Sequence, residues 1–270
     1  MKRFLTTTPF GKRLLTIVER VLFGGRATEK VLTKLLSWHY KSRFRREWLW
    51  SQDAPHFFAH RIGFFDFVYG DASGGPYPYY RGFFVSELIQ QHDKLLDIGC
   101  GDGFFTKRFY AKRCSLVDAI DIEEDAIGTA RSLNSAPNIN YRLLDAVRQP
   151  FPSASYNIVV WDGALGHFAA DTTDTMLEKI VCVLTQNGVF AGSESLGHEG
   201  HDHLQFFESI EDLDILFSKH FAYRAYRVIN YDTSFNVGLL RREAFWRCSS
   251  GPLRIEEAGW TQSGGKKYEH

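Results

Sequence analysis

The sequence predicts an α/β protein: a mostly parallel sheet with helices on both faces, an antiparallel hairpin at one edge and a helical N-terminal extension. Three observations carry this. From Lys94 to Ser193, short apolar runs alternate with stretches of helical periodicity, the order that joins parallel strands by crossover helices. The first of those runs passes straight into three alternate glycines. Two later runs, Ala222–Val228 and Val237–Trp246, are separated only by a short turn around Asn230–Phe235, so they should pair antiparallel.

The 270 residues are 44% hydrophobic and 24% charged, enough apolar mass for a sizeable core, which excludes a disordered chain and a small disulfide scaffold. Four cysteines stand far apart with no Cys-x-x-Cys pair, so neither a zinc ribbon nor a redox motif is available and a reducing compartment is expected. The first ten residues are basic but carry no signal-peptide h-region, and no run reaches the roughly 18 apolar residues that span a bilayer. The expected location is cytoplasmic.

Three segments follow along the chain: an extension over 1–75, the main domain over 76–250 and a polar, loose tail over 251–270. The net charge is zero, yet residues 1–50 hold twelve bases against Glu19, Glu29 and Glu47. Within them Leu14, Ile17, Val18 and Val21, then Val31, Leu35, Leu36 and Tyr40, recur at helical spacing, predicting two amphipathic helices broken at Gly24-Gly25. Such an arm either packs on the acidic remainder of the chain or makes peripheral contact, over residues 1–48, with an anionic membrane or lipid-linked substrate. No nucleic-acid-binding motif accompanies the charge, so nucleic acid is not expected. Residues 51–80 read as irregular and aromatic, closing on a cluster of breakers from Gly70 to Pro78. Helical spacing resumes over Tyr80–Gln91. Strands are then expected at Lys94–Ile98, Leu116–Ile120, Ile139–Leu144, Tyr156–Trp161 and Gly188–Ser193. The stretches Phe104–Lys112, Glu124–Leu133 and Thr173–Leu184 supply the helices, and the hairpin brings the strand count to seven.

The most informative stretch is Leu95-Leu96-Asp97-Ile98-Gly99-Cys100-Gly101-Asp102-Gly103. Glycines there let backbone pass close beneath a nucleoside, where side chains would occupy the ligand's volume. The spacing is Gly-x-Gly-x-Gly, and Asp97 would repel a pyrophosphate, so the ligand should carry a cation. Asp121, at the end of the next strand, is placed to accept hydrogen bonds from both ribose hydroxyls. Asp145, after the third strand, can accept one from an adenine amino group.

At this point the sequence resembles the class I S-adenosylmethionine-dependent methyltransferases, whose fold is Rossmann-like. The matching stretches are Leu95–Gly103, Ile120-Asp121-Ile122, Leu144-Asp145-Ala146, Tyr156–Gly163 and the turn Leu184–Phe190, in which Asn187 replaces the more usual glycine. The resemblance implies that Asp97 and the backbone of Gly99, Cys100, Gly101 and Gly103 hold the amino-acid end of S-adenosylmethionine, and Asp121 the ribose. It also implies that Asp145 and Ala146 read the adenine, with Ile122 against the ring and Trp161 near the sulfonium. Tyr80 and Arg81 would cover the cofactor, Arg81 pairing with the methionine carboxylate. Both Ile122 and Trp161 also suit ordinary core packing.

The acceptor atom must be aligned with the S–CH₃ bond, and a hydroxyl acceptor needs a base. His167, after the fourth strand, and His201 and His203, in the rim loop Ser195–His203, are the candidates; Asp162 is a further acid within reach. That loop matches no zinc signature, and no metal is expected. Because Trp161-Asp162-Gly163-Ala164 lacks the Pro-Pro-aromatic signature of base and amide methylation, the expected acceptor is a small-molecule hydroxyl, on a sugar, a quinone-like ring or a natural-product intermediate. An NAD-dependent oxidoreductase and a noncatalytic nucleoside-cofactor-binding protein are the alternatives from other classes. S-adenosylhomocysteine would be the product.

Overall fold

A computed structural model describes residues 8–22, 26–44, 77–153, 155–198, 203–233, 239–255 and 258–264. The chain divides into two compact units, Met1–Pro55 with Ile62–Asp71, and His56–Arg61 with Ala72–His270. Among its described residues the first holds two helices, α1 (Pro9–Leu22) and α2 (Arg26–Phe44), as the periodicity predicts. The Thr8 hydroxyl accepts the Gly11 N–H at 3.0 Å and so caps α1.

The second unit is built on an eight-stranded sheet. In chain order it comprises α3 (Tyr77–Ser86), β1 (Lys94–Ile98), a π-helical turn (Thr106–Tyr110), β2 (Leu116–Asp121), α4 (Glu124–Leu133), β3 (Ile139–Leu143) and β4 (Tyr156–Trp161). A 3-10 turn (Leu165–His167), α5 (Ala170–Val183), β5 (Leu184–Leu196), α6 (Ile210–Phe217), β6 (Tyr223–Thr233), β7 (Leu239–Ser249) and β8 (Thr261–Gly264) follow. The strand order is β3-β2-β1-β4-β5-β7-β6-β8, with β7 antiparallel to β5 and β6, and β8 antiparallel to β6. The chain winds outward from β1 to one side and from β4 to the other. The carboxyl ends of these two neighbours therefore flank the crevice in which such sheets bind ligands.

β1 and β4 are apolar almost throughout because both their faces are covered. Leu96, Ile98, Val159, Trp161, Phe190 and Trp246 pack on one face, against Met176 of α5 and Phe217 of α6. Leu95, Val117, Val160 and Phe245 pack on the other, against Val85 of α3 and Ile127 of α4.

Four elements differ from the reading of the sequence. The helix after β1 becomes a π turn in which the Ala111 N–H reaches back to the Thr106 carbonyl at 2.8 Å. This widening goes with two close fits: the Thr106 hydroxyl bonds Asp97 at 2.6 Å, and Phe109 packs so tightly on Gly82 of α3 that a Cβ there would enter the ring. The hairpin pairs further than expected, through Thr233 and Leu239, so Asn230 lies within β6 and not in the turn. α6 was not anticipated, although Ser209 and Asp212 form a capping box at its start. The segment after 250 is not wholly loose. It adds β8, and Trp260 lies over the buried Arg247 guanidinium at 4.3 Å, with Phe84 on that guanidinium at 5.3 Å. The Asp214 carboxylate ties α6, β6 and β8 together, accepting from Arg224 at 2.7 Å and from Tyr226 and Ser263 at 3.0 Å each.

Candidate active site

The glycine loop leaves β1 in left-handed backbone at Gly99 (φ 71°), Gly101 (φ 53°) and Gly103 (φ 72°), conformations that a side chain would strain. The loop is held by β2. Gly99 and Cys100 both donate to the Ile120 carbonyl, at 2.9 and 3.0 Å, and Gly101 donates to Asp121 Oδ2 at 2.8 Å. Asp121 Oδ1 takes the Glu123 N–H at 2.9 Å at the start of α4. Each Asp121 oxygen thus accepts one backbone donor and retains a lone pair for a hydroxyl. Asp102 caps the following turn through Phe104, and Tyr141 bonds the Asn134 carbonyl at 2.9 Å beneath Gly103.

Asp97 is buried at the mouth of β1. Burial lifts its carboxyl from the ordinary 3.8 to about 7; the Thr106 hydroxyl opposes the rise, the charges of Asp162 and Asp121 add to it, and Arg81 lowers it. Burial, with Asp97 nearby, also pushes the Cys100 thiol well above its usual range, which keeps it from serving as a nucleophile. Arg81, from α3, donates to Asp162 Oδ2 at 2.8 Å and to the Asp162 carbonyl at 3.1 Å, with its guanidinium over Phe105. Gly163 makes room for it, since a Cβ there would collide with Arg81 Nη2.

Beyond β4 the rim is assembled from distant segments. Gly166 is the junction. Its N–H donates to Glu194 Oε2 at 2.8 Å, and its carbonyl accepts from Leu204 at 2.7 Å and Gln205 at 3.1 Å. The missing side chain leaves space for the His203 ring. His167 and His203 are thereby brought together from two loops, with ring centroids 4.5 Å apart and planes at 85°. Beside them, His198 packs on Phe206 at 4.4 Å. One layer inward, the Ser193 hydroxyl lies 2.6 Å from both Asp162 Oδ1 and Glu243 Oε1, so its single proton serves one carboxylate at a time.

Residues 95–188 match the model of a methyltransferase domain family. An uncharacterized methyltransferase of Mycobacterium tuberculosis is 31% identical over 97 residues, 36% of this chain and 48% of its own. The eEF1A lysine and N-terminal methyltransferase of Xenopus laevis is 27% identical over 115 residues, 39% of this chain and 17% of its own. The chain therefore spans about half or less of these curated relatives. Among solved structures, the N-methyltransferase NodS of Bradyrhizobium japonicum in complex with S-adenosyl-L-homocysteine superposes with a TM-score of 0.51 at 17% identity, covering 77% of this chain and 98% of that one. YcgJ of Bacillus subtilis gives 0.51 at 15% identity, covering 65% and 100%. Residues 95–188 belong to the class I S-adenosylmethionine-dependent methyltransferases.

The residues of this methyltransferase domain fit the family's cofactor. Among the described residues, a Cβ on Gly99 would meet only Ala164, at 3.8 Å. Ile122, for which core packing was the competing expectation, is 63% exposed beside Asp121 and offers an uncovered apolar face. A buried carboxyl lifted by desolvation, as Asp97 is, is one that a cationic ligand would compensate.

One expectation needs correction. Trp161 is fully buried, its ring edge-on to Phe168 at 5.0 Å, and its indole N–H has no hydrogen-bond partner among the described residues; it is a core residue. Arg81 is engaged by Asp162, and Tyr80 on the same helix is exposed. Asp145 closes its own turn by accepting the Val147 N–H at 2.9 Å and the Arg148 N–H at 3.1 Å, and the Ala146 carbonyl is held by Lys179. His201 lies outside the described residues, among which no group of three potential metal ligands converges. Sequence reading missed Thr106, Ser193, Glu194 and Glu243. The available signal was polarity inside otherwise apolar strands, in Ser193-Glu194-Ser195 of β5 and Glu243 of β7, all of which are buried.

Proposed function

We propose that the chain methylates a hydroxyl oxygen of a small molecule, such as a sugar or a quinone-like ring, at the rim where His167 and His203 meet. The observation supporting this reading is that pairing of two imidazoles, delivered by the loops after β4 and β5 and stacked edge to face. Bound S-adenosylmethionine supplies a methyl group already activated on a sulfonium. Asp97 and the Gly99–Gly103 backbone would hold its amino-acid end, Asp121 its ribose, and Asp145 with Ala146 its adenine, beside the apolar face of Ile122. A hydroxyl loses its proton as it attacks, and imidazole is suited to take that proton near neutral pH. His167 takes it, and the ring of His203 against it fixes its orientation. Leu165 and Phe168, on either side of His167, pack into the core with Trp161 and keep the floor of the rim dry.

The test is a screen of radiolabelled methyl transfer over sugars, phenols and lipid extracts, with the product's methyl position read by NMR. An O-methyl product, lost in His167→Ala and His203→Ala, supports the reading; wild-type turnover in both variants overturns it. A second reading, transfer to an amine, draws on the carboxylates of half-buried Asp162 and buried Glu243 around Ser193. Carboxylates at an acceptor site favour a cationic group. An N-methyl product would decide for it.

A further inference from the structure

We propose that the N-terminal unit docks this protein on an anionic lipid surface, with α1 and α2 lying in the plane of the membrane. This goes beyond the methyl-transfer reading and does not rest on it. In α1, Phe10, Leu14, Ile17 and Val18 occupy positions i, i+4, i+7 and i+8, one face of a helix, and all four are exposed, Phe10 at 68% and Ile17 at 58%. The other side carries exposed Lys12, Arg13 and Arg20. In α2, Val31, Leu32, Leu35 and Trp38 form a second exposed apolar face, with Trp38 at 70%, and Lys30 and Lys34 flank it. Lone surface hydrophobics need no explanation, but two successive helices that each expose four apolar residues along one face do.

Charge identifies what covers the stripe. The two helices hold eight bases against Glu19 and Glu29, whereas residues 51–270 hold 20 bases against 29 acids. An anionic surface attracts the first segment and repels the second. Apolar and aromatic residues on one face with Lys and Arg on the other are the composition of helices that lie in the interface. Spanning is excluded for these helices: α1 is 14 residues, about 21 Å at the helical rise, and no helix among the described residues is long and apolar enough to cross a membrane.

The full-length protein is sedimented with vesicles of phosphatidylcholine alone and of phosphatidylcholine mixed with phosphatidylglycerol. Binding is expected only to the mixed vesicles. It should weaken about tenfold or more when salt is raised towards 1 M, where the Debye length falls to about 3 Å. Two variants separate the forces: Ile17→Glu with Leu35→Glu removes the apolar stripe, and Lys12→Glu with Lys34→Glu reverses charge. Each pair alters exposed positions, so far-ultraviolet circular dichroism should be unchanged while vesicle binding drops about tenfold. Failure to bind mixed vesicles overturns the proposal, as does equal binding to neutral ones. So does a dimer in light scattering that Ile17→Glu with Leu35→Glu dissolves, which would make the occupant a second copy. Retention by RNA with no retention by vesicles would equally reject lipid as the partner.

Discussion

The carboxyl edge of the sheet is built differently on its two sides. Next to β1 and β2, the loop is fixed by backbone donors and carboxylates of two adjoining strands: Gly99 and Cys100 on Ile120, Gly101 on Asp121, Thr106 on Asp97. Next to β4, β5 and β7, each contact closes a longer path through the chain, with Gly166 on Glu194, His167 on His203, and Ser193 on Glu243. The first arrangement constrains a ligand through main-chain geometry, which tolerates little variation. The second uses side chains, among them His167 and His203 on loops, so its chemistry can change while the sheet stays as it is. That division suits a protein whose cofactor is common to a family and whose acceptor is its own.

Breaking the backbone-built side should cost most. In Gly103→Ala, a left-handed φ and a Cβ driven into the Tyr141 ring combine, and about 2–5 kcal/mol of stability should be lost in urea unfolding. A midpoint unchanged from wild type would mean that the loop yields freely. On the side-chain-built side, His203→Ala should leave S-adenosylhomocysteine affinity unaltered and lower turnover about 10²-fold. If affinity falls as well, the two sides are less independent than their hydrogen bonds indicate. Asp121→Ala should weaken S-adenosylhomocysteine binding by about 1.5–3 kcal/mol in calorimetric titration. An identical dissociation constant would remove the carboxylate from the ribose site.

The smallest effect is a pH slope. Because the folded-state carboxyl of Asp97 titrates at about 7 and its ordinary value is 3.8, the folded chain holds this proton more tightly than the unfolded chain between those limits. The group's contribution to stability therefore falls as pH rises through that window, by at most about 1.4 kcal/mol per pH unit. Cofactor affinity should run the other way, weakening as pH drops below 7, since the cationic ligand wants the carboxylate. Asp97→Asn should flatten both slopes, and slopes that persist in that variant would assign the linkage to another group.

Most of the parallel half was legible in the chain because its signals are local. Short apolar runs, the glycine spacing and an acid at each strand end are all visible within about ten residues. The π turn was not legible, since Phe104–Lys112 has ordinary helical periodicity and only the docking of Phe109 on Gly82 and of Thr106 on Asp97 separates it from an α-helix. β8 escaped notice because four polar residues show no alternation; its pairing with β6 and the stacking of Trp260 on Arg247 hold it. Trp161 was ambiguous because an aromatic at a strand end suits both a rim and a core, and the direction of its side chain is a property of the pleat.

By itself, then, the sequence determined the succession of strands up to β5, the position of the glycine loop and the amphipathic character of α1 and α2. The tertiary structure alone decided that His167 meets His203, that Arg81 is bound to Asp162 and that buried Ser193 sits between two carboxylates. Periodicity reports which face of an element is apolar. The partner that a polar group finds across the sheet depends on register and loop path, which are fixed only when the whole core closes.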